Sequence, residues 1–197
     1  MAADRDLELK TALNALTGKV VTDAWVNEMA LYGPEDSGHF TDPSLDFVQA
    51  NVLELRTSDG QTFHISCVQD DDTWAIWLRL EPADRQLAPD PGEGTFRTRP
   101  MPEFPCGVVS KLQIDAGEET GIQEIRVTID QREVFLRAGE VYENPDGTLS
   151  VCDRDESVLV FLDGEAYSRL TFNQPIYRPF SHKSEQPLLP LTAVLGA

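Results

Sequence analysis

The sequence predicts a mainly β protein, built from antiparallel hairpins in two similar units, with an amphipathic helix in front and a proline-rich extension behind. Three observations lead there. Apolar residues alternate with polar ones over most of the chain, the period of a strand with one buried face. Asp-Gly and Pro-Asp-Gly turns separate these runs. Finally, DGQTFHISCVQDDDTWAIWL (59–78) and DGTLSVCDRDESVLVFL (146–162) share one order of features: Asp-Gly, Thr, a segment ending in Cys, an acidic loop and a segment ending in Leu. That conjunction predicts a tandem duplication. The expected division is 1–80 for the helix and first unit, 81–105 for a linker or crossover, 106–170 for the second unit and 171–197 for the extension, the two units sharing one core.

In the first element Leu9, Leu13 and Leu16 recur at i, i+4 and i+7, with Ala12 on the same flank and Gly18 placed at C′. Asp6, Glu8 and Lys10 occupy the other face, so this is a cover helix. KVVTDAWV then reads as a strand, ending in the loop YGPEDSGHFTDPS. The hairpin VLELRTSDGQTFHISC has two candidate registers. A two-residue turn would mix apolar and polar residues on each face. A three-residue loop, Ser58-Asp59-Gly60, pairs Leu55 with Phe63 and Leu53 with Ile65, and sends Glu54, Arg56 and His64 to the other side. Burial of one face selects the second, a type I turn with a G1 bulge and Gly60 in the left-handed region. In TWAIWLRL, Trp74, Ile76, Leu78 and Leu80 share one face and Ala75, Trp77 and Arg79 the other.

Pro and Gly crowd the segment from Glu81 to Pro105. GVVSKLQI opens the second unit, and GIQEIRVTIDQREVFLRAG follows as a hairpin. With Gln131-Arg132 as its turn, Ile129 pairs with Val134, Val127 with Leu136 and Ile125 with Ala138, leaving Glu124, Arg126, Thr128 and Arg137 facing water. NPDG and the acidic loop DRDES complete the unit. Pro175, Pro179, Pro187 and Pro190 exclude a long helix from the tail. Its Leu188, Leu189, Leu191, Val194 and Leu195 need cover, from the chain's own core, from a partner or from a second copy in a homodimer.

Charge is the unusual property: 16 Lys and Arg against 34 Asp and Glu give a net of -18. Such a field repels phosphate backbones and anionic membranes, and draws in a basic protein. The beginning MAADRDLELK lacks the basic and apolar regions of a secretory signal, and no run approaches the about 18 apolar residues of a membrane span. Cys67, Cys106 and Cys152 are an odd set without C-x-x-C spacing, which predicts a reduced, cytoplasmic protein with neither disulfide framework nor zinc.

Motifs for chemistry are missing. His39, His64 and His182 stand outside any H-E-x-x-H context, GEGTF lacks the Lys-Ser/Thr of a phosphate loop, and G-x-S-x-G and S-x-x-K do not occur. The runs Asp70, Asp71, Asp72 and Asp153, Asp155, Glu156 lack the Gly and distal Glu of an EF-hand, so they read as charged hairpin turns without metal. No cofactor and no catalytic residue are expected. Mutual repulsion within these turns would be relieved by a basic partner, with Trp77 as aromatic anchor. In being acidic, small and without catalytic motifs, the chain resembles in character the immunity proteins of nuclease toxins. That resemblance implies an antitoxin that neutralises a basic toxin domain. Two alternatives stand beside it: a small-ligand binder or enzyme using Glu54, Arg56 and His64 between the units, and an assembly subunit joined through its tail.

Overall fold

The computed structural model describes residues 2–30, 40, 45–70, 73–90, 94–115 and 121–173. Among them, α1 (Ala2–Leu16) precedes β1 (Val20–Met29), β2 (Val48–Thr57), β3 (Thr62–Asp70) and β4 (Thr73–Glu81). A 3-10 turn (Ala83–Arg85) leads to β5 (Phe96–Pro100), then β6 (Gly107–Asp115), β7 (Glu124–Ile129), β8 (Arg132–Glu143), β9 (Leu149–Asp153), β10 (Ser157–Phe161) and α2 (Gly164–Arg169). The protein is mainly β and its strand pairs are antiparallel.

Pairing runs from β1 to β2, β10, β8, β7 and β6 and returns to β1 through Val20–Val108 and Val21–Gly107, so six strands close on themselves. Closure takes the ring strands out of edge positions and leaves the sheet's edges to β4, β5 and β9. The β3–β4 hairpin branches from β2, while β5 lies on β1 and β9 on β8. β2 serves both the ring and the branch because residues 48–50 pair with β10 and 52–56 with β3. Between these stretches its register against β1 shifts, with Asn27 opposite Val52 and Glu28 opposite Ala50. The extra residue switches the inward set from Val48 and Ala50 to Leu53 and Leu55.

One core joins both halves of the chain. Ala12, Leu13 and Leu16 of α1 meet Leu53, Leu55, Phe63, Ile65, Ile76 and Leu78 from the first half, and Ile125, Val127, Ile129, Val134 and Leu136 from the second. Each large side chain removed from water stabilises by roughly 1.5–3 kcal/mol. A second cluster lies on the outer side of β8–β10: Phe47, Phe135, Leu159 and Phe161, covered by Tyr167 of α2 and by Phe172. β10 separates the two, with Val158 and Val160 in the main core and Leu159 and Phe161 outside it.

The three-residue loop is found as expected: Leu53 pairs with Ile65, Leu55 with Phe63, and Gly60 has φ +82. The β7–β8 turn is displaced from expectation by one residue. It is Asp130-Gln131, both at positive φ, and it pairs Ile129 with Arg132, Val127 with Val134 and Ile125 with Leu136. The cause is tertiary: the Val108 N–H donates to Asp130 Oδ1 while the Asp130 N–H donates to the Val108 carbonyl. Glu124, Arg126, Thr128 and Arg137, expected to face water, are instead buried or half-buried. Glu124 and Arg137 lie under α2, a short helix that the sequence reading missed, capped by Asp163 accepting from the Glu165 N–H. The segment 81–105 is more than a spacer, since it adds β5 to the sheet and Met101 and Phe104 to the core.

The two acidic segments differ in structure. β3 and β4 pair with each other directly, Asp70 opposite Thr73. β9 and β10 instead run one after the other along β8, Gly139 facing both Asp153 and Ser157, so residues 154–156 form a bulge and not a hairpin turn. The chain needs a glycine there: a Cβ on residue 139 would lie 2.6 Å from the Cys152 carbonyl oxygen and 3.0 Å from Leu159 Cδ1. Strand connectivity therefore differs between the halves beyond Cys67 and Cys152.

Candidate functional site

The outer face of β1–β4 concentrates the polar side chains that the hairpin register implied. Pairing places Trp25, Glu54, His64 and Arg79 in one row across four strands. His64 Nε2 lies 2.6 Å from Glu54 Oε2, and its Nδ1 lies 3.7 Å from Glu81 Oε1, which Arg79 also contacts. Arg56 Nε donates to Glu54 Oε1 at 2.7 Å, and its guanidinium stands 4.6 Å from the centre of the Trp25 ring. The chain after β4 seals the row: the Leu87 N–H donates to Glu54 Oε2 at 2.8 Å and the Leu87 carbonyl accepts from Arg56 at 2.7 Å. Burial would raise the Glu54 pKa, but hydrogen bonds from His64, the Leu87 N–H and Arg56 outweigh it and hold the carboxyl below its ordinary range.

Glu54, Arg56 and His64 thus converge as the small-ligand alternative requires, yet Glu54 is 0% and His64 5% exposed. The arrangement neutralises charge internally and locks the 82–90 segment onto the sheet. Glu81, Arg79 and Leu87 were not singled out from the sequence. Extending the alternation that puts Arg79 on the Trp77 face would have placed Glu81 there too.

The expected partner-binding residues are scattered. Asp70 ends β3, while Asp71 and Asp72, like His39, His182 and 174–197, lie outside the described residues. Trp77 is half-buried on the same outer face, with Arg79 5.4 Å from its ring centre. Its indole nitrogen is buried without a hydrogen-bond partner. Asp153 is held by Arg137 through two bonds, at 2.8 and 3.0 Å, and by Gln123. Asp155, 5% exposed, accepts from the Tyr142 hydroxyl at 3.0 Å, and Glu156 alone of the bulge acids is exposed. The second acidic segment is therefore largely structural, in contrast to the solvated turn expected.

A second buried network lies under α2. Arg137 also binds the Tyr167 hydroxyl, at 2.8 Å, and its guanidinium lies 4.0 Å from the Phe172 ring centre; Tyr167 in turn reaches Glu124. Burial and Glu124 push the Tyr167 phenol up to about 12. Among the described residues no three of His, Cys, Asp and Glu are arranged to hold a metal ion, and no helix is long and apolar enough to cross a membrane. No family model, characterised protein or solved structure matches the chain.

Proposed function

We propose that this chain is a non-catalytic acidic binding protein whose partner is a basic protein, with neutralisation of a toxin domain in the manner of an immunity protein as the concrete case. The observation that carries the reading is how the positive charge is used. At least eight of the 16 basic side chains, Lys19, Arg56, Arg79, Arg97, Arg99, Arg126, Arg137 and Arg169, stand in ion pairs with the chain's own carboxylates. The excess acids are left to dominate the outer field, which speeds encounter with a cationic surface and repels nucleic acid.

Trp77 supplies a half-buried aromatic beside this field, the residue type that anchors interfaces. Glu156 supplies exposed charge, and Asp71 and Asp72 add to the acidic total in sequence. The test is affinity capture from the source cells, identification of the captured protein, and stopped-flow association with that protein once purified. The reading expects a partner of basic isoelectric point, with an association rate that falls about tenfold or more between about 0.05 and about 0.5 M salt. Changing Asp71 and Asp72 to Asn and Glu156 to Gln should slow association further. A captured partner that is acidic, or a rate indifferent to salt, contradicts it.

A further inference from the structure

Among the described residues, the buried acid Glu140 has no ion-pair partner. Glu140 of β8 is 6% exposed and its Oε2 atom is buried without a hydrogen-bond partner. Three elements meet around it. Across the β8–β9 pairing stands Cys152. The bulge after β9 brings Asp155 and Glu156, with the buried Arg154 between Asp153 and Asp155. Tyr142, two residues along β8, donates to Asp155. From β3, the Cys67 thiol donates to the Ser157 carbonyl at 3.0 Å, and Asp155, Glu140 and Glu156 all add to the burial that raises its pKa.

We propose that this junction is a proton-operated latch: Glu140 holds a proton while the β9–β10 bulge is docked against the β3–β4 hairpin, and ionisation of Glu140 loosens that docking. An isolated carboxylate in such a place has a large desolvation cost and repels Asp155, so it must bind a cation or keep its proton. The geometry favours the proton, since among the described residues no three ligating side chains converge there to hold a metal. Burial, then Asp155, then Glu156 push the Glu140 carboxyl up to about 7, close to physiological pH.

The sign follows from linkage. The proton is bound more tightly in the docked state than in an opened one, where the carboxyl titrates near its ordinary 4.5. Docking is therefore most secure below about 4.5, weakens as pH rises, and loses the full contribution by about 7. The ties at stake are the Cys67 thiol on the Ser157 carbonyl and the Trp74 N–H on the Arg154 carbonyl, which join the hairpin to the bulge.

The test is alkylation of Cys67, located by mass spectrometry, in the full chain and in Glu140→Gln from about pH 5 to about pH 8. Thiol ionisation raises both rates alike, so the readout is their ratio. The latch predicts that wild type gains on the variant by up to about tenfold per pH unit, with a plateau above about pH 7. A ratio that stays flat overturns the proposal. Asp155→Asn, which keeps an acceptor for Tyr142 while removing one charge, should move the wild-type midpoint to lower pH. An unchanged midpoint overturns the proposal even if Glu140→Gln does not fold.

Discussion

Glu54 and Glu140 lie on two long strands of one sheet, both are almost wholly removed from water, and the fold treats their charges in opposite ways. Glu54 receives donors from His64, Arg56 and the Leu87 N–H, and its pKa falls in spite of burial. Glu140 has acids for neighbours and an oxygen without a partner, and its pKa rises. Burial alone does not set a protonation state; the donors that the fold aims at the group do. A glycine underlies each side of the contrast. Gly60 makes the three-residue loop that sets Glu54 opposite His64, and Gly139 admits the bulge that carries Asp155 toward Glu140.

The comparison can be broken first at its strongest point. Glu54→Ala strands His64 and Arg56 without their buried acceptor and should cost about 3–5 kcal/mol in urea unfolding at neutral pH. A loss under about 1 kcal/mol would mean that the network contributes little. Because the folded Glu54 pKa is depressed, its contribution is present above about 4.5 and disappears as pH falls through the lower folded value. Gly139→Val comes next. Its side chain would press on the Cys152 backbone and on Leu159, for an expected loss of about 1–3 kcal/mol by the same measurement.

Gly60→Val should cost about 1–2 kcal/mol, for a different reason. A Cβ at that position would meet nothing within 4 Å, so the penalty is conformational, arising from φ +82. Gly60→Asn, which tolerates the left-handed region, should recover most of the loss in thermal melts. The last effect is set apart by its sign and its pH dependence: Glu140→Gln should leave stability nearly unchanged at acid pH and raise it relative to wild type at about pH 8, a gain that Glu54→Gln should not show.

Much of this contrast was legible in one half of the chain and hidden in the other. The β2–β3 register could be read because a slip of one residue would have set Leu55 opposite His64 and Leu53 opposite Ser66, mixing apolar and polar residues on each face. At β7–β8 the competing registers differ by two residues and bury the same faces, so hydrophobic pattern could not separate them. The deciding bonds, between Asp130 and Val108, come from another strand. DRDES read as a turn because an acidic run between apolar segments usually reverses the chain. The one available sign to the contrary was Gly139, a lone glycine within a strand, where a bulge or close backbone approach is common. Arg137 was read as solvent-facing for want of any signal that α2 would cover it.

Direct titration of the two glutamates tests the account at its centre. Carbon-detected NMR of the side-chain carboxyls, assigned with Glu54→Gln and Glu140→Gln, would follow both groups in the folded protein as pH is varied. The account predicts that the Glu54 carboxyl stays ionised down to below about 4.5, while the Glu140 carboxyl changes charge close to 7. If the two titrate together, or Glu140 is already ionised at pH 5, the opposition between them is not a property of the fold.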